Sequence, residues 1–421
     1  MRWPIFFDLE EEEPGAFRLP SRRNGWSVPE PWLPLSTLLD PVALYEFQKR
    51  LLANEQVLLA RKAEHIANRF KDYPVPVVPL VTEDLELVTT TFRRINSQGT
   101  TMSEAHMLNA IMWAREFDLN RELESVVEHA ESVGWASLDI QSVVDMLKAL
   151  TGQEFYKARL ETMAELLRED ADLLDRLKDA ITHAVHFLAE RCLICGMRAL
   201  PYKYQLVALV AAAYEVGEIA GEAAARLEGW MWQTTYCELF TGMSSGRLRS
   251  EIAEAVGLVA PDTVVCVWGH EVAPLEFYRR GTVRGKAFDL QLARLRPRDM
   301  SGQELPAAEL LANSAKSPTS AIIPKDRRQT DDPNWPEQLI KPANFVLLPT
   351  EQVGELREKL AHFDSNDAPA RAILESHAIT EEAAQVYAKG ELEHFLRLRE
   401  ASIINDERRF IEHEVGMGYL Y

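Results

Sequence analysis

Cysteine is scarce: four residues in 421, too few and too irregularly placed for a disulfide framework. A charge-free apolar run of membrane-spanning length is missing too. The most apolar long segment, YQLVALVAAAYEVGEIAGEAAA, is interrupted by Glu215, Glu218 and Glu222. The opening MRWPIFFDLEEEEPGAF has an apolar run too short for a secretory signal, with an acidic run directly behind it, so a cytoplasmic location is expected. Positive charge is also in deficit, with 46 Lys and Arg against 65 Asp and Glu and a net charge of −19. A dedicated DNA-binding domain is usually basic, because phosphate contacts dominate its affinity. Any nucleic-acid contact must therefore be local or shared with a partner. No internal repeat is evident.

What is present is enough chain for two or three hydrophobic cores. PIFFDL and AFRLP read as short strands around the turn EEEEPG, but a two-stranded hairpin is marginal alone. No further strand is obvious until PVPVVPLV near residue 74. Between them, Asp40 and Pro41 open the long amphipathic helical pattern DPVALYEFQKRLLANEQVLLARKAEHIANRFKDY. From Glu83 the periodicity is helical, with helices predicted at 83–95, 102–117, 121–133, 137–150, 154–169, 171–195, 203–216 and 221–240. VAPDTVVCVWGHEVAP marks a boundary. Beyond it the islands SAIIP and ANFVLLP predict short strands of a small module, followed by terminal helices.

The stretch FRRINSQGTTMSEAHMLNA (92–110) has the parts of an anion site. Arg93 and Arg94 offer guanidinium forks, and Gly99 permits close backbone approach. Thr101 with Glu104 fits a capping box at a helix start, whose free N–H groups favour an anion. The same residues equally describe a well-capped helical junction with solvated arginines.

FRRINSQGTTMSEAHMLNAI resembles the phenylalanine–arginine–asparagine–glycine segment of the GmrSD-type restriction endonucleases. LPYKYQLVALVAA and LEGWMWQTTYCELFTGMSSGRLRSEI are similar to that family's middle region. SAIIPKD, KPANFVLLP and ITEEAAQVYAKGELEHFLRLREASIINDERRFIE are similar to its C-terminal module, in the same order. The resemblance covers most of the chain through several moderate motifs. It implies an α+β, predominantly α-helical protein with a truncated ParB/sulfiredoxin-like domain at 1–120, a helical middle domain at 121–260 and an HNH-like module with terminal helices at 261–421. It also implies nucleotide or phosphate handling by Arg94, Asn96, Gln98, Gly99 and Thr101, with a nucleoside triphosphate and magnesium as the cofactor class. Two departures stand out. The family's Asp-Gly-Gln-Gln-Arg motif is absent, and the chain is expected to begin downstream of it. In the HNH-like module the family's histidine precedes an apolar–apolar–Pro step; here that step is Ile322-Ile323-Pro324 and the histidine position is Ala321. Alanine neither takes a proton nor binds a metal. Asn344 matches the family's downstream asparagine, a remnant of a degenerate site.

Two further clusters come from the residues alone. His183 and His186 with Cys192 and Cys195 invite a zinc reading, but on one continuous helix the nine residues from His183 to Cys192 turn the chain by about 180°, so the pairs face apart. The stretch 277–298 carries Arg279, Arg280, Arg284, Lys286, Arg294, Arg296 and Arg298 against one acid, Asp289, and Lys325, Arg327 and Arg328 add a second basic group. Such a track suits a DNA backbone; a solvated face paired with the chain's surplus acids is the alternative. The expected function is a component of a prokaryotic DNA-restriction or anti-phage system that binds DNA without cutting through its own residues, beside a separate catalytic subunit. A nuclease whose catalytic motif lies upstream of an incorrect start, and a non-catalytic scaffold, are the alternatives. No catalytic residue and no metal ligand is named.

Overall fold

In the computed structural model, β1 (Phe6–Asp8) and β2 (Phe17–Arg18) form the antiparallel hairpin expected around the glutamate turn. Phe7 lies opposite Phe17, their rings edge-on at 5.3 Å. The hairpin does have a sheet to join: β3 (Trp32–Pro34) pairs with the other side of β1, giving the order β2-β1-β3. A three-residue strand ending in proline carries no alternation to read, and proline at an edge strand removes no ladder hydrogen bond. The structure describes residues 5–11, 16–19, 29, 31–74, 82, 87, 91, 94, 103–112, 119–156, 160–260, 271–313, 318–325 and 335–420.

The chain divides into two compact units, Met1–Val81 and Thr82–Tyr421. In the first, the pattern that begins at Asp40 is two helices rather than one, Pro41–Ala53 and Val57–Lys71. The Asp40 carboxylate accepts from the amides of Val42 and Ala43 at 3.0 and 3.1 Å, as the Asp-Pro start predicts. The break falls at Glu55, held in the left-handed region with φ 61°, where no glycine or proline announces it. Phe7, Leu33, Phe47, Leu51 and Ala63 share the core of this unit. Lys62 ties helix to hairpin, donating to the carbonyls of Leu9 and Glu11, both at 2.7 Å.

The second unit is predominantly helical. Its helices Glu104–Met112, Leu119–Ser132, Ile140–Leu150, Leu160–Glu169, Leu173–Cys192, Lys203–Val216 and Gly221–Tyr236 fall close to the predicted spans. One hydrophobic core runs from Ala105 to Met417, across residues 120 and 260. Trp232 of Gly221–Tyr236 meets Phe410 edge-on at 5.1 Å, so the tryptophan-rich helix packs on the C-terminal helix Leu392–Phe410. β4 (Glu271–Val272) pairs in parallel with β7 (Gly418–Tyr419). SAIIP and ANFVLLP supply β5 (Thr319–Ala321) and β6 (Phe345–Leu347), antiparallel with Ala321 opposite Phe345. A second core of Ile322, Ile323, Val346, Leu356 and Phe395 lies around this pair. The helix Val353–Ala361 packs there too, and Arg357 donates to the carbonyls of Ile322 and Ala321 at 2.6 and 3.0 Å.

Arg399, fully buried, bolts this part together. Its guanidinium donates to the carbonyls of Ala343 at 2.5 Å, Phe345 at 2.7 Å and His377 at 3.0 Å. Burial pulls its pKa down to about 9, which still leaves it charged at neutral pH. Among the described residues no helix is long and apolar enough to cross a membrane.

Candidate nucleic-acid interface

Of the residues assigned to the anion turn, Asn96, Gln98, Gly99 and Thr101 lie outside the described residues, and Arg94 is helical and exposed. The helix that follows starts at Glu104, and its cap is Ser103, whose hydroxyl accepts from the His106 amide at 3.2 Å. The Glu104 carboxylate instead accepts from Lys148 at 2.5 Å and Gln141 at 2.8 Å. Lys148 is almost fully buried and also reaches Asp145 at 3.2 Å and the Phe155 carbonyl at 2.8 Å. A buried ammonium needs such partners.

The basic track is built around the helix Val283–Arg294. Thr282 caps it, its hydroxyl accepting from the Gly285 amide at 3.1 Å and donating to the Arg279 carbonyl at 2.8 Å. Glycine is required at 285, since a Cβ there would sit 2.1 Å from the Arg279 carbonyl oxygen. The tight turn leaves Arg279 and Arg280 exposed ahead of the helix. The remaining cations have partners within the protein. Arg284 reaches Glu407 at 3.3 Å and stacks 5.1 Å over Tyr236. Arg294 pairs with Glu414 at 2.5 Å over the Phe410 ring, and Arg296 holds Glu304 through two nitrogens at 2.6–3.1 Å. Lys286 donates to the Leu200 carbonyl at 2.6 Å, and burial lowers its pKa. Lys325 is exposed, while Arg327 and Arg328 lie outside the described residues.

Arg280 and Lys286 converge with Arg198, which no sequence signal singles out, on a cavity of about 520 Å³. Asp289 joins them in the wall. Its Oδ1 accepts from the Tyr278 and Thr319 hydroxyls, both at 2.8 Å, and burial raises its pKa to about 6 against the pull of those hydrogen bonds, Arg280 and Lys286. Thr319 belongs to β5, so this polar group adjoins the β5–β6 strand pair.

At the end of β5, Ala321 presents a methyl group at the position where the resemblance places a histidine. Asn344 is 1% exposed, and its side-chain amide is fully occupied. Its oxygen accepts from the Ile323 amide at 2.8 Å, and its nitrogen donates to the carbonyls of Ile323 and Leu339 at 3.0 and 2.9 Å. The side chain fastens the segment after β5 to the turn before β6. The four residues of the zinc reading are differently placed: Cys192 is buried in the core, His183 is half-buried, His186 is exposed, and Cys195 lies past the helix end, where Leu193 turns left-handed with φ 59°. Among the described residues no three metal-binding side chains gather. No protein-family model matches the chain, and no curated protein matches it.

Proposed function

We propose that this chain is a DNA-binding component of a prokaryotic DNA-restriction or anti-phage defence system that leaves cleavage to a separate subunit. The observation carrying this reading is the cationic group beside β5: Arg198, Arg280 and Lys286 around one cavity, with exposed Arg279 next to Arg280 in the chain. A local group of this kind attracts phosphate in a chain whose overall charge repels it. The absence of self-cleavage is supported by the methyl side chain at Ala321 and by the complete internal hydrogen bonding of Asn344. Neither can activate water or release a ligand position to a metal.

The test is charge reversal of Arg279 and Arg280 to Glu, with duplex-DNA affinity measured from low to physiological salt. Loss of two phosphate contacts makes the slope of log K against log salt shallower by about 2 and weakens binding at every salt. Unchanged affinity and slope would remove the DNA reading. The non-catalytic scaffold is then favoured, on the observation that Arg284, Arg294 and Arg296 already hold carboxylates of the same chain.

A further inference from the structure

We infer that the cavity formed by Arg198, Arg280, Lys286 and Asp289 is a binding site for a nucleoside phosphomonoester, either a free mononucleotide or the 5′-phosphorylated end of a DNA strand. Its volume of about 520 Å³ falls in the range of small-molecule sites. The wall is divided in character. Three cations and one carboxylate occupy part of it, while buried Leu290 and Leu311, with Pro318, supply an apolar remainder. That division matches a ligand with one compact anion and one less polar body. Cations outnumber the one carboxylate in the lining, which suits a phosphomonoester of about −1.5 to −2 better than a singly charged backbone diester. Depth points the same way. Lys286 is only partly accessible and Asp289 is buried, so a terminal phosphate can project down to them, whereas a continuing backbone passes over the exposed Arg279 and Arg280.

Lys286, Arg280 and Asp289 have distinct parts. Lys286 is held by the Leu200 carbonyl, which fixes its ammonium and leaves further N–H donors for a ligand. Arg280 sits at the turn ahead of the helix and presents a planar fork to phosphate oxygens. Asp289 is fixed by Tyr278 and Thr319 through one oxygen. This leaves its other oxygen to accept from a sugar hydroxyl or a protonated phosphate.

The inference deepens the DNA-binding reading but does not stand or fall with it. The full chain is titrated calorimetrically with thymidine 5′-monophosphate and with thymidine, and then with duplexes bearing a 5′-phosphate or a 5′-hydroxyl. The nucleotide is expected to bind at least about tenfold tighter than the nucleoside, and Arg280→Gln to weaken it by about tenfold or more. Lys286→Met is expected to do the same. Should that variant unfold, Arg280→Gln at its exposed position carries the test. Preference for the phosphorylated duplex identifies a DNA end as the ligand, and binding of the mononucleotide without that preference identifies the free nucleotide. Nucleotide binding with no duplex binding upholds the site and removes the DNA reading. Duplex binding that ignores the 5′-phosphate, with no nucleotide binding, does the reverse. Equal affinity for nucleotide and nucleoside, or an unaltered Arg280→Gln, overturns the inference.

Discussion

Replacing Asn344 by alanine separates a structural amide from a catalytic remnant. Three buried backbone groups depend on that side chain: the Ile323 N–H and the carbonyls of Ile323 and Leu339. An orphaned buried polar group costs about 1–3 kcal/mol, and not every one of the three finds a new partner in a packed core, so Asn344→Ala is expected to lose about 3–6 kcal/mol. Against a typical total of about 5–15 kcal/mol, that is a large fraction. Asn344→Asp tests the donor half alone. Aspartate can still accept from Ile323, but its carboxylate faces two carbonyl oxygens. Its folded pKa should therefore lie above the unfolded value of about 3.9. The penalty is smallest below that value and grows by about 1.4 kcal/mol per pH unit until the folded pKa is passed. Urea unfolding at several pH values, followed by far-ultraviolet circular dichroism and by tryptophan fluorescence, to which Trp335 of the same core contributes, gives both numbers. A midpoint shift worth less than about 1 kcal/mol for Asn344→Ala would refute the structural account of this residue.

Other perturbations have equally definite outcomes. Gly285→Ala places a methyl group 2.1 Å from the Arg279 carbonyl oxygen, so the turn must open; thermal unfolding should show a loss of about 2 kcal/mol or more, and the variant should also lose nucleotide affinity. Asp289 has a folded pKa raised from 3.8 to about 6, so its contribution is full below the unfolded value and is lost as pH rises through about 6. The stability of Asp289→Asn relative to wild type should thus improve by about 2 kcal/mol between pH 4 and pH 7, and a flat difference across that window would contradict the burial argument. Cys192 is buried and its thiol pKa is pushed up by desolvation. In native protein, mass spectrometry should find Cys192 unmodified by iodoacetamide while half-buried Cys195 and Cys237 react, with Cys192 alkylated only after unfolding.

The Arg294–Glu414 pair shows why the basic track was only half legible. Seven cations in one stretch are visible along the chain, but their partners are not. Glu407 and Glu414 lie more than a hundred residues downstream of Arg284 and Arg294, and only packing of the C-terminal helix against Val283–Arg294 brings them together. Arg198 is the converse case. A lone arginine between Met197 and Ala199 carries no local pattern, yet it faces the same cavity as Arg280 and Lys286. Spacing pairs Glu104 with Thr101, which lies outside the described residues, and describes only local partners. Lys148, 44 residues away, also reaches the Glu104 carboxylate.

The sequence by itself determined most of the helices, because a 3.6-residue apolar period and an Asp-Pro or small polar start act within one turn of chain. It also determined the strands around SAIIP and ANFVLLP, whose apolar islands are bounded by Pro and polar residues. It could state that position 321 lacks a histidine, since that is a matter of chemistry alone. Tertiary structure decided the third strand at Trp32–Pro34, the break at Glu55, the role of Asn344 and the membership of the cationic cavity. Each depends on a partner distant in sequence or on the space a neighbour leaves, and burial and hydrogen-bond satisfaction are settled only once the cores have closed.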